Sequence, residues 1–101
     1  MYLIEKNGEV VGNVSYERKS PDRVYISGLV VGSRFQGQGI GQAAMVKILE
    51  ELKGTKRIEL ATHPDNKAAI ALYESLEFVI ESRKENYFGD GEPRLIMTLE
   101  K

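Results

Sequence analysis

The hydrophobic positions of this chain follow a strand-like spacing up to Val31, a helical spacing from Gly41 to Lys53, and then each kind again in turn. Tyr2 to Lys6 and Glu9 to Glu17 flank Asn7-Gly8. Both central residues of a type I′ turn need positive φ, so this dipeptide predicts an antiparallel hairpin. Arg18 to Asp22, with Pro21, reads as a loop, and Arg23 to Val31 as a third strand whose alternation breaks near Gly28, where a bulge is expected. Ala44, Met45, Ile48, Leu49 and Leu52 fall on one helical face, and Gly54 after Lys53 reads as a C′ residue. Arg57 to Thr62 is a short strand, parallel to the third because a helix joins them. Pro64-Asp65-Asn66 opens a second helix to about Leu76, and Phe78 to Tyr87 with Arg94 to Leu99 forms a closing hairpin around residues 89–93. The expected fold class is α/β (α+β): a mixed, largely antiparallel sheet with two helices.

At 101 residues the chain is expected to form one domain, near the lower end of what buries a self-sufficient core. Fourteen Lys plus Arg stand against fifteen Asp plus Glu, a formal charge of −1 without long runs of either sign. That balance argues against nucleic acid as a partner. With no cysteine there is no disulfide, thiolate metal site or cysteine nucleophile, and the lone His63 does not build a metal site. The start, Met1-Tyr2-Leu3-Ile4, turns polar by Glu5, and no apolar run approaches the ~20 residues needed to cross a bilayer. A cytoplasmic protein without a membrane partner is expected.

Candidate chemistry begins with the glycines at 37, 39 and 41, which lie between an apolar run and a helix. Glycine lets the backbone approach an anion closely, and the first turn of a helix offers free N–H groups and the positive end of its dipole. The lysine and Ser/Thr of a phosphate-binding P-loop are replaced by Gln42 and Ala43. A dinucleotide fingerprint matches formally at Gly39, Gly41 and Ala44, with Glu59 about 20 residues on, but the preceding hairpin and the short chain do not supply repeated βαβ units.

Gln36-Gly37-Gln38-Gly39-Ile40-Gly41 resembles the acetyl-CoA loop of the GNAT superfamily of N-acetyltransferases, Gln/Arg-x-x-Gly-x-Gly/Ala. Asn66-Lys67-Ala68-Ala69-Ile70-Ala71-Leu72-Tyr73-Glu74-Ser75-Leu76-Glu77-Phe78 resembles the same family's second signature, N-x-x-A-x-x-L-Y-x-x-x-G-F. The tail from Asn86 to Glu92, with Met97, is similar to its closing hairpin, notably in bacterial members acting on protein N-termini or small amines. The resemblance covers residues 1–101 as one GNAT-like domain that lacks the usual N-terminal strand and helices. Such a trimmed form would leave apolar sheet surface uncovered and favour a homo-oligomer.

The resemblance implies a splayed pair of parallel strands with acetyl-CoA between them. Leu29 and Val31 would bond the pantetheine arm through their backbones. Gln36, Gly37, Gln38, Gly39, Ile40, Gly41 and Gln42 would hold the pyrophosphate, with Arg34 as a helper. Tyr73 would be the general acid for the departing thiolate, and Asn66, about two turns earlier on the same helix, would line the same groove when not simply capping it. Glu77 stands where the family has glycine. The positions that would carry a general base are Tyr25 and Ala61, neither of which serves, leaving Glu59 and His63 as candidates by proximity. The implied activity is direct acetyl transfer from acetyl-CoA to a small-molecule amine or a protein N-terminus. The alternative is an acyl-CoA-binding or regulatory module without transfer activity.

Overall fold

A computed structural model describes residues 2–37 and 39–100. One six-stranded sheet runs in the order β1-β2-β3-β4-β6-β5, with two α-helices. The strands are β1 (Tyr2–Lys6), β2 (Glu9–Ser20), β3 (Arg23–Val31), β4 (Arg57–Thr62), β5 (Val79–Lys84) and β6 (Arg94–Glu100); the helices are α1 (Ile40–Glu51) and α2 (Lys67–Ser75). Asn7 and Gly8 take φ of 53° and 80°, the values a type I′ turn needs to join β1 to β2. Only β3 and β4 pair in parallel; the other ladders are antiparallel.

Three boundaries differ from expectation. β2 continues through Arg18, Lys19 and Ser20, because their partners on β3 extend the ladder to Arg23, leaving only Pro21 and Asp22 to turn. Arg18 is anchored by donating to the Pro21 carbonyl and to Thr55 Oγ1. α1 closes on Leu52, whose N–H donates back to Ile48, and Gly54 does not adopt the left-handed conformation of a C′ glycine. β5 ends at Lys84 rather than Tyr87: Asn86, Gly89 and Gly91 all have positive φ, which turns the chain out of the ladder. The bulge expected near Gly28 falls on Ser27, since Ser15 opposes Gly28 and Tyr16 opposes Ile26.

Val24 and Ile26 of β3, Ile58 and Leu60 of β4 and Met97 of β6 join Met45 and Ile48 of α1 and Tyr73 of α2 in one apolar cluster. Alternation sends Arg23, Tyr25, Arg57 and Glu59 to the opposite face. There Glu59 is shared by Arg23 and Arg57, and Arg57 also reaches Glu81 and Glu100. The centre of the uncovered face is therefore a charged network rather than the apolar surface expected. Exposed apolar side chains occur beside it, at Val79, Tyr87 and Phe88, and away from it, at Leu3 and Val30.

Candidate functional site

The parallel ladder runs from Arg23↔Arg57 to Ile26↔Leu60 and stops there. A bulge increases local twist, and at Ser27 it carries β3 away from β4. A cavity of about 300 Å³ opens in the gap, lined among others by Ser27, Leu29, Thr62, His63, Asn66 and Tyr73. A longer groove of about 670 Å³ continues past Leu29 and Val31 to Gln36, Gly37, Gly39, Gly41 and Gln42, with Asn66 and Leu72 of α2 on its other wall. Leu29, Asn66, Ala69 and Leu72 line both.

Main-chain direction along β3 follows from one hydrogen bond. The Gly32 N–H donates to the Val11 carbonyl at 2.7 Å, and Val31 opposes Gly12 while Leu29 opposes Val14. Hydrogen-bonded and non-hydrogen-bonded pairs alternate in an antiparallel ladder, so Gly28, Val30 and Gly32 face β2 with their polar groups. Those of Leu29 and Val31 turn towards the gap. The Val31 carbonyl accepts from Gln36 Nε2 at 3.1 Å, which ties the glycine turn to the strand end.

Gly37 and Gly39 have φ of 80° and 75°, and Gly39 is the N-cap of α1. The helix's first backbone bond is donated by Ala43 to the Gly39 carbonyl, so the N–H groups of Ile40, Gly41 and Gln42 are the unpaired donors of the first turn. Gly41 lies within 3.6–3.8 Å of Leu29, Leu72 and Val31 side chains, measured from where its Cβ would stand. Arg34 is in a short 3-10 turn, Ser33–Phe35, with its guanidinium over the Phe35 ring, outside the groove lining. Gln38 lies outside the described residues.

Asn66 caps α2, its Oδ1 accepting from the Ala69 N–H at 3.1 Å, and also lines the groove. Tyr73 is 8% exposed, with its ring 5.9 Å from that of Phe78. Burial raises its pKa, so the phenol keeps its proton at neutral pH. Of the two candidate bases, Glu59 is held by Arg23 and Arg57 on the charged face. His63 lines the cavity, Nδ1 accepting from Asp65 N–H at 3.0 Å and Nε2 lying 3.3 Å from Glu92 Oε2. Arg94, at the start of β6, and the His63–Glu92 contact escaped the sequence reading because the loop before β6 carries no periodic pattern. Tyr25, with Tyr87, Phe88 and Glu59, lines a shallow hollow on the charged face; its pKa is pushed up to about 12, chiefly by burial and then by Tyr87.

The model of the acetyltransferase (GNAT) family matches residues 1–78. The [ribosomal protein bS18]-alanine N-acetyltransferase of Escherichia coli strain K12 is 36% identical over 83 residues, covering 77% of this chain and 56% of its own length. N-alpha-acetyltransferase 30 of Schizosaccharomyces pombe is 33% identical over 86 residues, covering 83% and 57%. The crystal structure of the Escherichia coli ribosomal-protein-S18-alanine N-acetyltransferase superposes with a TM-score of 0.85 at 30% identity, over 95% of this chain and 64% of that one. The chain thus spans a little over half the length of the relatives it matches in sequence. Among the described residues no helix is long and apolar enough to cross a membrane.

Proposed function

This chain belongs to the GNAT acetyltransferase family, and from that premise we propose that it transfers the acetyl group of acetyl-CoA to the free amino terminus of a protein. The observation that carries this is the continuity of one groove, from the amides at the start of α1, along the turned-out backbone of β3, to Tyr73. The donor set fits the cofactor: three first-turn N–H groups and glycines with open space at 37 and 39 for a diphosphate, and extended-strand amides for a pantetheine arm. Acetyl-CoA, when bound, supplies the acetyl thioester.

Ile40, Gly41 and Gln42 hold the diphosphate through their N–H groups. Leu29 and Val31 would hold the arm as a neighbouring strand does, and Tyr73 would give its proton to the sulfur as the C–S bond breaks, while the amine, having first lost its ammonium proton to solvent, attacks the acetyl carbon and the proton it sheds on forming the C–N bond restores Tyr73 through solvent. Burial holds the Tyr73 phenol above its ordinary value, so it is a weaker acid than a free thiol at ~8.5 and donates only as charge develops on the departing sulfur, which couples proton transfer to departure. No nucleophilic side chain is needed; positioning and that proton carry the rate. A protein amino terminus is the favoured acceptor because the relatives named above act on alanine of a ribosomal protein or are named for α-amino acetylation. The cytoplasm, where such acceptors are made, is the proposed compartment.

Calorimetry with acetyl-CoA and a thiol-release assay over a panel of free-amino peptides test this. Binding with transfer supports the proposal. Binding without transfer to any peptide or small amine favours a CoA-binding module instead, and absence of binding refutes both.

A further inference from the structure

Alternation along β6 divides its side chains between the two sheet faces. Met97 joins the apolar cluster under the helices, while Ile96 opposes Ala61 and Thr98 opposes Glu59 on the other face, the one to which Arg94 belongs by the same count. The Arg94 guanidinium lies 5.0 Å over the Phe88 ring. Phe88 borders the hollow that holds Tyr25 and Glu59, so Arg94 reaches the cavity beside Tyr73 from the side away from α2. The longer groove past Leu29 and Val31 does not include it. Arg94 therefore stands off the path assigned to the cofactor and meets what enters by the other mouth.

This guanidinium is largely buried and has donors left over. Its side chain is 16% exposed. One N–H donates to the Pro93 carbonyl and one to Asp90 Oδ2, each at 2.9 Å. The rest of the five N–H groups that a guanidinium carries have no protein acceptor among the described residues. Asp90 does not make the two-bond fork that carboxylates form with arginine, because its other oxygen accepts the Glu92 N–H at 2.9 Å. Asp90 is itself 43% exposed, so water screens that pair. On the cavity side no carboxylate is present, and Arg94 is the one permanently charged group of the lining among the described residues. A cation withdrawn from water beside a space without anions favours an anion in that space.

We propose that Arg94 is the specificity residue of the acceptor mouth and pairs with a carboxylate carried by the first or second residue of a free amino terminus. The place of this contact in a reaction rests on the acetyltransferase reading; recognition of the carboxylate does not. Tyr73 and Arg94 line one cavity of about 300 Å³, which taken as a sphere is ~8 Å across, a little over two residues of extended chain. An amine beside Tyr73 thus leaves its own side chain, or that of the next residue, within reach of the guanidinium. Aspartate or glutamate there completes the fork that Asp90 leaves open, and lysine there meets like charge.

Peptide amides with a free amino terminus, identical except for Glu, Gln or Lys at the second residue, are compared by CoA release from the full chain at saturating acetyl-CoA. The Glu peptide is expected to have a KM about 10- to 100-fold below that of the Gln peptide at similar kcat, and the Lys peptide a KM above both. Arg94→Gln should bring the three together and Arg94→Glu should reverse the order of Glu and Lys, with melting measured for each variant. Asp90→Asn keeps the oxygen that accepts from Glu92 and removes the charge that competes for Arg94, so the Glu preference should widen whether or not the Arg94 variants fold. Binding is read separately: His63 lines the same cavity and is the single histidine of the chain, so its ring resonances in a proton NMR spectrum follow each peptide without turnover. The proposal is overturned by equal KM values or equal ring titrations for the Glu and Gln peptides, by a Glu preference that survives in folded Arg94→Gln, or by one that narrows in Asp90→Asn. Free alanine used better than the Glu peptide would assign the guanidinium to an amino acid's own carboxylate and overturn the acidic terminus. Glu-selective, Arg94-dependent binding without CoA release refutes the acetyltransferase reading and leaves the carboxylate site standing; release without selectivity does the reverse.

Discussion

Replacing Tyr73 with phenylalanine removes one oxygen from the cavity wall and little else. The ring is 8% exposed and meets Phe78 obliquely, at 5.9 Å and 58°, and phenylalanine keeps both the burial and the contact. Stability is therefore expected to change by no more than about 1 kcal/mol, whereas Tyr73→Ala, which empties the site, costs about 3–5 kcal/mol. The effect on rate should be larger. A positioned general acid contributes about 10²–10⁴-fold, which at ~1.4 kcal/mol per tenfold is about 3–5 kcal/mol of barrier. Burial raises the Tyr73 pKa above the ordinary phenol value, so loss of its acid form with rising pH is displaced upward, and kcat should hold level as pH approaches ~10. The assay is thiol release at saturating acetyl-CoA and peptide, alongside calorimetric binding and thermal melting. The expected outcome is kcat lower by at least about 100-fold, with acetyl-CoA affinity within about threefold and near-parental melting. A kcat within about threefold of the parent would show that the hydroxyl is only part of the wall. A loss of rate matched by lost binding would show that packing, not proton donation, had been disturbed.

Gly12→Ala places a Cβ 2.1 Å from the Val30 carbonyl oxygen, so one strand must move; an unfolding free energy lower by about 3 kcal/mol is expected from urea titration, and an unchanged midpoint would refute the crowding. Asn66→Ala removes the Oδ1 that accepts from Ala69 and should cost about 1 kcal/mol in the same measurement, while Asn66→Asp keeps the acceptor and recovers most of it. Tyr25, raised to about 12 in the fold against ~10 in the unfolded chain, contributes stability that is fully present below about pH 10 and lost as pH rises towards 12. Denaturation followed across that window should show the loss in the parent and less of it in Tyr25→Phe. Glu77 has φ of 75°, and Glu77→Gly trades relief of about 1–2 kcal/mol against about 0.4–1 kcal/mol of unfolded-state entropy, so a gain of about 0.5–1 kcal/mol is expected by urea titration.

Local signals carried most of the fold. Asn7-Gly8, the helical spacing from Ala44 to Leu52 and the strand between two helices each specify their element through backbone energetics that neighbours do not reverse. Glu77, which stands where the family has glycine, takes the positive φ that glycine favours. Errors arose where the deciding partner is distant in sequence. Arg18 to Ser20 are polar and follow no core pattern, yet β3 holds them in a ladder. Tyr87 has the aromatic side chain favoured in strands, yet Asn86 turns the chain before it. The site divides in the same way. Gly39, Gly41, Asn66 and Tyr73 lie in contiguous motifs and meet in one groove. Glu92 reaches His63 across 29 residues through a loop without periodicity, and no local pattern announces that contact.

The placement of the chemistry follows from a conflict within the sheet. From Arg23 to Ile26 the parallel pairing of β3 with β4 is held from both faces, by the apolar cluster on one and by Glu59 between two arginines on the other. Beyond Ile26 that support ends, and the extra residue at Ser27 turns β3 away. Strand separation in the middle of a sheet leaves main-chain donors and acceptors without the partner that a continuous ladder would give, a cost the fold meets at Leu29 and Val31. An extended ligand with its own amides offsets that cost by completing the ladder, so affinity is drawn from backbone left over by folding rather than from dedicated side chains. Because side chains alternate along a strand, the same stretch still sends Leu29 and Val31 against Gly41 of α1, fixing the helix start at the end of the groove. Pairing Ser27 with Ser15 as an ordinary ladder residue, instead of bulging it out, would shift the register by one residue, turning those two side chains to the charged face and their main-chain groups back towards β2. The bulge is thus the feature on which the groove, the helix position and the Tyr73 wall jointly depend.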